Sequence, residues 1–412
     1  MKLWFSILTL SVVALCDPQI VYLKNYHAGV STLFDNIETG AEVYLASSDD
    51  NDLLKNIQIT TGAASISLDL LNKINADGSP MSLAITQGLT LKSTNSDTVT
   101  NALTGFLYVT NKEQAVDPTF SVMVIKNQHF ISTPNGQKST VVVLNAELVS
   151  DSNDFDKPFK TSYVTAINQD SNTDLRFHWD IPASNWTKVT MNQFFENPLY
   201  LDNAYPNGTY YNTTKAFFNN VDPMQVNQDY WYLTSTGAVM MSVENKYVSN
   251  HEYTTNSVNS TGLISNNFLF KEHKVNFLLD YTRTRTVGTL ISVFPNSKDY
   301  ISFFLSDGQS EIDQNYNIDA YVTHALSITQ MQASYLIVNS TGLVPGRFFC
   351  QYYGITGDLV QVTTTTPGPS TASQTTSTAM VSTTTVMTTT KASWYPRSFE
   401  MIAMVLLLVL AC

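Results

Sequence analysis

Five asparagines stand in the acceptor pattern for N-linked glycosylation, in which the side-chain amide nitrogen of Asn-X-Thr receives the sugar. These acceptors are Asn185, Asn207, Asn212, Asn259 and Asn339. The hydroxyl two residues later completes the pattern, and in a secreted chain each acceptor indicates a surface position. Asn207 has the most accessible context because it lies in a Pro-Asn-Gly turn.

A second modification is predicted near the end of the sequence, where small residues precede a polar spacer and an apolar segment. The small residues are Thr388, Thr389 and Thr390, with Ala392 and Ser393 as the alternative. The spacer 391–400 and the apolar segment 401–412 match a glycosylphosphatidylinositol (GPI) attachment signal. A helix of that apolar length reaches about 18 Å, short of a bilayer core of about 30 Å. We therefore expect a lipid anchor, with the alternative site weakened by the bulky Trp394.

Motifs for metal binding and catalysis are absent from the sequence. In a strand, the residues from Glu311 to Asp319 would place five oxygen-bearing side chains on one face, which is a calcium-like array. However, Ile318 replaces the glycine that a calcium loop needs, so a solvated strand face is favoured. No two histidines have metal-ligand spacing, and no nucleophile elbow or phosphate loop occurs. We predict no catalytic residue, no metal and no cofactor.

Composition and net charge indicate which partners and which fold class the chain is suited to. The chain of 412 residues has a formal net charge of −12, which argues against nucleic acid. Tyr and Phe number 21 each, and long helical patterns are hard to find. This composition predicts an all-β protein.

Alternating apolar runs at 120–124, 139–144 and 301–305 predict antiparallel strands. A turn at Pro134-Asn135-Gly136 precedes the second run, and residues 271–274 read as the turn of a hairpin between 268–270 and 275–279. These patterns predict antiparallel β-sandwiches of a CUB-like or jelly-roll-like kind.

The chain divides by composition into five segments. Residues 1–16 read as a secretory signal peptide, 17–152 and 153–358 as two β-sandwich domains, and 394–412 as the GPI-attachment tail. Between them, 359–393 reads as a disordered Thr/Ser-rich stalk, since eighteen of the 28 residues from 363 to 390 are Thr or Ser. O-glycosylation is favoured there over an unmodified linker.

Two further features leave alternatives open. Cys350 is the one cysteine between the signal and the tail, and its aromatic neighbours favour a buried thiol over a link between two chains. Aromatic groups at Tyr205, 210–211 and 230–232 suit stacking on sugars, or they belong to the core.

The layout resembles that of nematode secreted surface proteins with CUB-like domains, and the local stretches that carry the resemblance are 102–111 and 286–293. The resemblance implies a β-sandwich and a role in intestinal defence. The CUB pattern also has paired cysteines and an acidic calcium site, which this sequence lacks, so no functional residue is carried over.

Together these observations predict a GPI-anchored glycoprotein at the extracellular face of the plasma membrane. Its expected role is binding or shielding, with a carbohydrate or protein ligand, in host defence. The alternatives are an anchored hydrolase that uses a carboxylate pair, and a carbohydrate-binding lectin.

Overall fold

The computed structural model describes residues 17–34, 36–148, 160–183, 192–204, 211–246, 252–256, 259–265, 272–278, 285–293, 300–306, 311–317, 329–331, 333–340 and 348–356. The predicted signal peptide, stalk and tail lie outside these residues. In the part described, strands dominate and helices are short, so the prediction of an all-β protein is confirmed. No helix there is long and apolar enough to cross a bilayer.

The first eleven strands are β1 (Gln19–Tyr22), β2 (Ser31–Leu33), β3 (Glu42–Ala46), β4 (Ile57–Thr61), β5 (Ala64–Ser67), β6 (Ser82–Ala84), β7 (Thr90–Ser93), β8 (Phe106–Val109), β9 (Phe120–Ile125), β10 (His129–Thr133) and β11 (Ser139–Asn145). The short helices among them are a 3₁₀ turn (Leu23–Asn25), α1 (Asn51–Leu54), α2 (Leu68–Leu71), α3 (Asp97–Asn101) and α4 (Lys112–Val116).

The next nine strands are β12 (Thr161–Gln169), β13 (Leu175–Trp179), β14 (Gln193–Asn197), β15 (Leu199–Ala204), β16 (Tyr211–Ala216), β17 (Asn220–Val221), β18 (Met224–Val226), β19 (Tyr230–Ser235) and β20 (Val239–Lys246). The last nine are β21 (Glu252–Asn256), β22 (Ser260–Ser265), β23 (Glu272–Leu278), β24 (Arg285–Val293), β25 (Tyr300–Ser306), β26 (Glu311–Asn317), β27 (Thr329–Met331), β28 (Tyr335–Ser340) and β29 (Phe348–Thr356).

These strands form seven sheets. Their strand orders are β1-β8-β3-β6 (sheet A), β2-β7-β4-β5 (sheet B), β14-β13-β19-β11-β9 (sheet C), β10-β20-β12-β18 (sheet D), β15-β16 (sheet E), β17-β22-β29-β24-β27 (sheet F) and β21-β23-β28-β25-β26 (sheet G). Among the described neighbours, β9–β11, β17–β22 and β21–β23 run parallel, and the other strand pairs run antiparallel.

The sheets are stacked so that neighbouring layers share a sheet. Sheet A packs one face on sheet B through Leu45 and Leu107, and the other on sheet C through Phe106 and Tyr108. Sheet C in turn sends Val142 toward sheet A and residues such as Trp231 toward sheet D. Consecutive residues of a strand point to opposite faces, so both faces of sheets A and C lie in a hydrophobic core.

Sheet F is shared in the same way. Ile264 and Cys350 face the core with sheet G, whereas Leu263 and Phe349 reach the core between sheets C and D. The rings of Phe349 and Phe194, from β14, stack with centroids 4.1 Å apart. Sheet F therefore joins the last part of the chain to its middle.

The prediction of two β-sandwich domains is wrong, because the sheets form a continuous series of stacked layers. Strands from both sides of position 152 share sheets: β11 pairs with β19, and β10 pairs with β20. The described residues accordingly fall within one compact unit. The alternation of apolar and polar residues predicted sheets with one buried face, whereas sheets such as A and C are buried on both faces.

Two local predictions are also corrected. The runs at 120–124 and 139–144 become β9 and β11, which pair in parallel, because β10 between them crosses into sheet D. The turn at 134–136 does form, with Gly136 at a φ of +71°, but it links two sheets. Residues 272–274, expected in a hairpin turn, lie within β23, where His273 is buried.

Candidate functional site

A cavity of about 210 Å³ lies where sheets D, F and G meet. Six of its lining residues are Tyr163, Asp222, Gln225, Tyr253, Thr254 and Tyr352, and Pro223 completes the wall. They come from β12, β18, β21, β29 and the connection between β17 and β18. Of the lining residues, Asp222 carries the single charged side chain.

Tyr352 is positioned by a glycine on the neighbouring strand. Gly262 of β22 lies directly opposite Tyr352 of β29. A Cβ atom on Gly262 would lie 2.2 Å from Tyr352 Oη and 2.4 Å from Cζ. Because Gly262 has no side chain, the phenol ring of Tyr352 can lie across its backbone. Glycines in strands often mark places where another group approaches the backbone closely.

Asp222 is fixed by its backbone and its side chain. Its backbone N–H donates to the carbonyl of Thr261 at 2.8 Å, and its Oδ2 accepts from Tyr352 Oη at 2.9 Å. Burial raises the pKa of Asp222, although hydrogen bonds from Thr255 and Tyr352 work in the opposite direction. No Lys, Arg or His within the described residues forms an ion pair with it.

The other two tyrosines, Tyr163 and Tyr253, also line the cavity. Burial raises the pKa of Tyr253 to about 12, and the phenol of Tyr163 adds to the shift. Burial also raises the pKa of Tyr352, with Asp222 and Tyr253 among the further causes. The cavity therefore combines phenol hydroxyls with one carboxylate.

Gln225 adds an oriented amide. It lies opposite Tyr163 in the β12–β18 pair, and its Oε1 accepts from Thr161 Oγ1 at 3.2 Å. Outside the cavity wall, Lys246 Nζ lies 5.2 Å from the centre of the Tyr163 ring and 3.1 Å from Glu244 Oε1. The lysine is thus held by a carboxylate and an aromatic ring.

Two other carboxylates, the buried Glu196 and the half-buried Asp229, lie away from this cavity. Glu196 accepts from Gln193 Nε2 at 2.8 Å and from the backbone N–H of Tyr200 at 3.1 Å, and burial raises its pKa. Asp229 accepts from Tyr22 Oη at 3.3 Å, and burial raises its pKa to about 6. A two-carboxylate hydrolase needs both groups at one cleft, about 5–9.5 Å apart. The cavity provides one.

The predicted glycosylation sites are placed as follows. Asn339 lies in β28, and its exposure alternates with that of the buried Val338, so it occupies the outer face of sheet G. Asn259 precedes β22 with a φ of +54°, and Asn212 lies in β16 opposite Asn203. Asn185, Asn207 and all the candidate lipid-attachment residues lie outside the described residues.

Of the remaining candidates, Tyr205 and Tyr210 lie outside the described residues, and the following have structural positions. Trp231 and Tyr232 are buried, and Tyr230 packs against the core between sheets A and C, so this aromatic group belongs to the core. Glu311 begins β26, an edge strand of sheet G, and is exposed. Cys350 is fully buried with a free thiol, as favoured from its aromatic neighbours, and burial raises its pKa to about 12.

Sequence reasoning missed the cavity because its wall comes from separate stretches of chain. Tyr163, Asp222, Tyr253 and Tyr352 belong to no local motif, and only strand pairing brings them together. One local signal exists. Gly262 interrupts a strand pattern, and an isolated glycine in a strand indicates close approach by another group. No group of three or more metal-ligating side chains occurs among the residues described.

Comparisons with known proteins give one family. The family profile described as "Glycoprotein: Transmembrane glycoprotein" matches residues 38–408. No curated protein sequence matches the chain. Among solved structures, the chain is similar to the insecticidal delta-endotoxin Cry8Ea1 of Bacillus thuringiensis, with 9% identity and a TM-score of 0.17. That match covers 45% of this chain and 42% of the toxin chain, less than half of either.

Proposed function

Because the chain belongs to this family of transmembrane glycoproteins, we propose that it is an extracellular glycoprotein that binds or shields at the cell surface. The observation that carries the proposal is the extent of the family match, which includes both the β-rich body and the Thr/Ser-rich segment. A secretory signal and N-glycosylation acceptors suit such a protein. The resemblance to CUB-like surface proteins extends the proposal to host defence.

A GPI anchor is the proposed mode of attachment. Supporting it are the small residues at 388–390, a spacer of ten residues and an apolar segment of twelve. In this proposal the apolar segment is removed and lipid alone holds the protein. A transmembrane helix is the competing arrangement, since local thinning of the bilayer costs only fractions of a kcal/mol per Å of mismatch.

Phospholipase treatment of intact cells tests the anchor. With phosphatidylinositol-specific phospholipase C, we expect release of the protein into the medium, alongside a known GPI-anchored control. Retention while that control is released would contradict the anchor, as would a mass spectrum of the mature protein that still contains residues 401–412.

Glycan mapping tests the surface assignment. We expect Asn339 to carry an N-glycan because it lies on an outer sheet face. Asn339→Gln should remove one glycosidase-sensitive step in electrophoretic mobility, whereas Asn276→Gln, on a neighbouring strand and outside any acceptor pattern, should leave the mobility unchanged. If glycosidase treatment shifts the mobility of the protein fully but the protein cannot be labelled at the surface of intact cells, the cell-surface location is refuted.

A further inference from the structure

We propose that the cavity between sheets D, F and G binds a single neutral sugar ring, such as the terminal residue of a glycan. This inference rests on the proposed function, because it supplies the ligand class for a protein that binds at the cell surface. It follows from the size of the cavity, its mixture of hydrogen-bonding groups and its aromatic walls.

The size limits the ligand to one ring. Sites for drug-sized ligands occupy about 300–1,000 Å³, whereas this cavity measures about 210 Å³. Pro223 and Thr254 are exposed at its wall, so the space communicates with solvent. A terminal sugar enters such a space while the rest of the glycan remains outside.

The polar groups suit hydroxyls that both donate and accept. Asp222 accepts, Gln225 offers an amide with both functions, and the phenols of Tyr163 and Tyr253 can do either. A sugar ring presents several hydroxyls on an otherwise apolar C–H skeleton. Tyrosine has the matching character, since its ring is apolar and its tip is polar.

The electrostatics favour a neutral ligand over a cation. Asp222 already accepts from Tyr352 Oη at 2.9 Å, and the Thr255 hydroxyl also stabilises it. Its charge is therefore partly balanced by hydrogen-bond donors of the protein itself, which leaves less of it for a cation. An acidic sugar would place a second negative charge beside Asp222, so neutral sugars are preferred.

The cavity is also preorganised. The Asp222 backbone is tied to Thr261, and the Tyr352 ring crosses Gly262 in a position set by the β22–β29 register. A wall fixed in advance costs less conformational entropy on binding than one ordered by the ligand.

The test uses the full-length protein, solubilised in detergent after enzymatic removal of its N-glycans. Saturation-transfer NMR detects the binding of each probe. The probes are glucose, galactose, mannose, fucose, N-acetylglucosamine, N-acetylgalactosamine and N-acetylneuraminic acid. We expect at least one neutral sugar to bind, and to bind more tightly than N-acetylneuraminic acid. Comparing the bound sugar free and at the end of a glycan distinguishes a free sugar from a glycoconjugate as the source.

Asp222→Asn provides the decisive variant, because it retains the shape and removes the charged acceptor. We expect a loss of affinity of at least tenfold, as for a hydrogen bond to a charged group. Asp174→Asn is the matched control, since Asp174 also accepts from a tyrosine hydroxyl, Tyr200 Oη, at 2.9 Å, but lies outside the cavity wall. The control should bind within twofold of the unmodified protein.

Three results would overturn the proposal. They are no sugar bound by the folded protein, binding undiminished by Asp222→Asn, and tighter binding of choline than of any neutral sugar. Thermal unfolding of each variant confirms that it is folded. If sugar binding fails while phospholipase still releases the protein from cells, the cavity assignment falls and the surface function stands.

Discussion

Tyr352 crosses the backbone of Gly262 on the adjacent strand, and its hydroxyl donates to Asp222 at 2.9 Å. The glycine, the ring and the carboxylate thus form one connected arrangement across β22, β29 and the start of the β17–β18 connection. Tyr352 is 1% exposed, so this arrangement lies almost wholly inside the protein.

Gly262→Ala should destabilise the protein by about 1–3 kcal/mol or more, because the added Cβ overlaps the ring. In a Tyr352→Ala background the same substitution should cost less, so that the two changes are less than additive. Chemical denaturation of the four proteins in this cycle measures the effect. Equal costs in both backgrounds would show that the ring is not what the Cβ meets.

Gln351→Ala should cost about 2–5 kcal/mol, because Gln351 is fully buried and joins two sheets. Its Oε1 accepts from the Glu196 backbone N–H at 3.0 Å, and its Nε2 donates to the Glu196 carbonyl at 2.8 Å. Truncation leaves both backbone groups without these partners. The exposed Gln128, which donates to Ser242 Oγ at 2.9 Å, gives the control variant Gln128→Ala, expected to change stability by under about 0.5 kcal/mol.

Asp229 makes stability depend on pH. Burial raises its folded pKa to about 6 from an ordinary 3.8, so the folded state holds a proton that the unfolded state has released between these values. Its contribution is therefore complete below about pH 4 and is lost as the pH rises through about 6, by roughly 2–3 kcal/mol. Asp229→Asn should flatten the curve of unfolding free energy in that window, whereas the exposed Asp170→Asn should preserve it. An unchanged slope in Asp229→Asn would contradict the assignment.

Cys350 should resist thiol reagents in the native protein. Burial raises the pKa of its thiol to about 12, and its side chain lies in the core between sheets F and G. We expect stoichiometric alkylation in denaturant and almost none under native conditions, with no dimer band in non-reducing electrophoresis. Native alkylation faster than unfolding would contradict the buried position.

The sequence patterns predicted the strands better than their arrangement. Alternating or continuous apolar runs marked β9, β11 and β25, and the aromatic neighbours of Cys350 indicated its burial. However, the run Val141–Leu144 is buried at every residue, which is typical of a strand with both faces covered. Reading it as one strand of a two-layer sandwich led to the wrong fold.

The cavity lay beyond sequence reasoning for a different reason. Asp222 and Tyr352 acquire their roles only through the register of β22 against β29, and register depends on the packing of whole sheets. Composition offered many tyrosines and carboxylates but no means to select these. Gly262 in β22 was the one local feature of the sequence that indicated the close approach of Tyr352.

Sheets A, C and F each belong to more than one core, and this affects how the protein responds to proteolysis and to mechanical load. A protease or a mechanical load that loosens one layer must also expose the layer behind it, since the same strands form both walls. Partial opening is therefore penalised twice. Within the described residues, we expect such a structure to resist gradual opening and then to unfold as a whole.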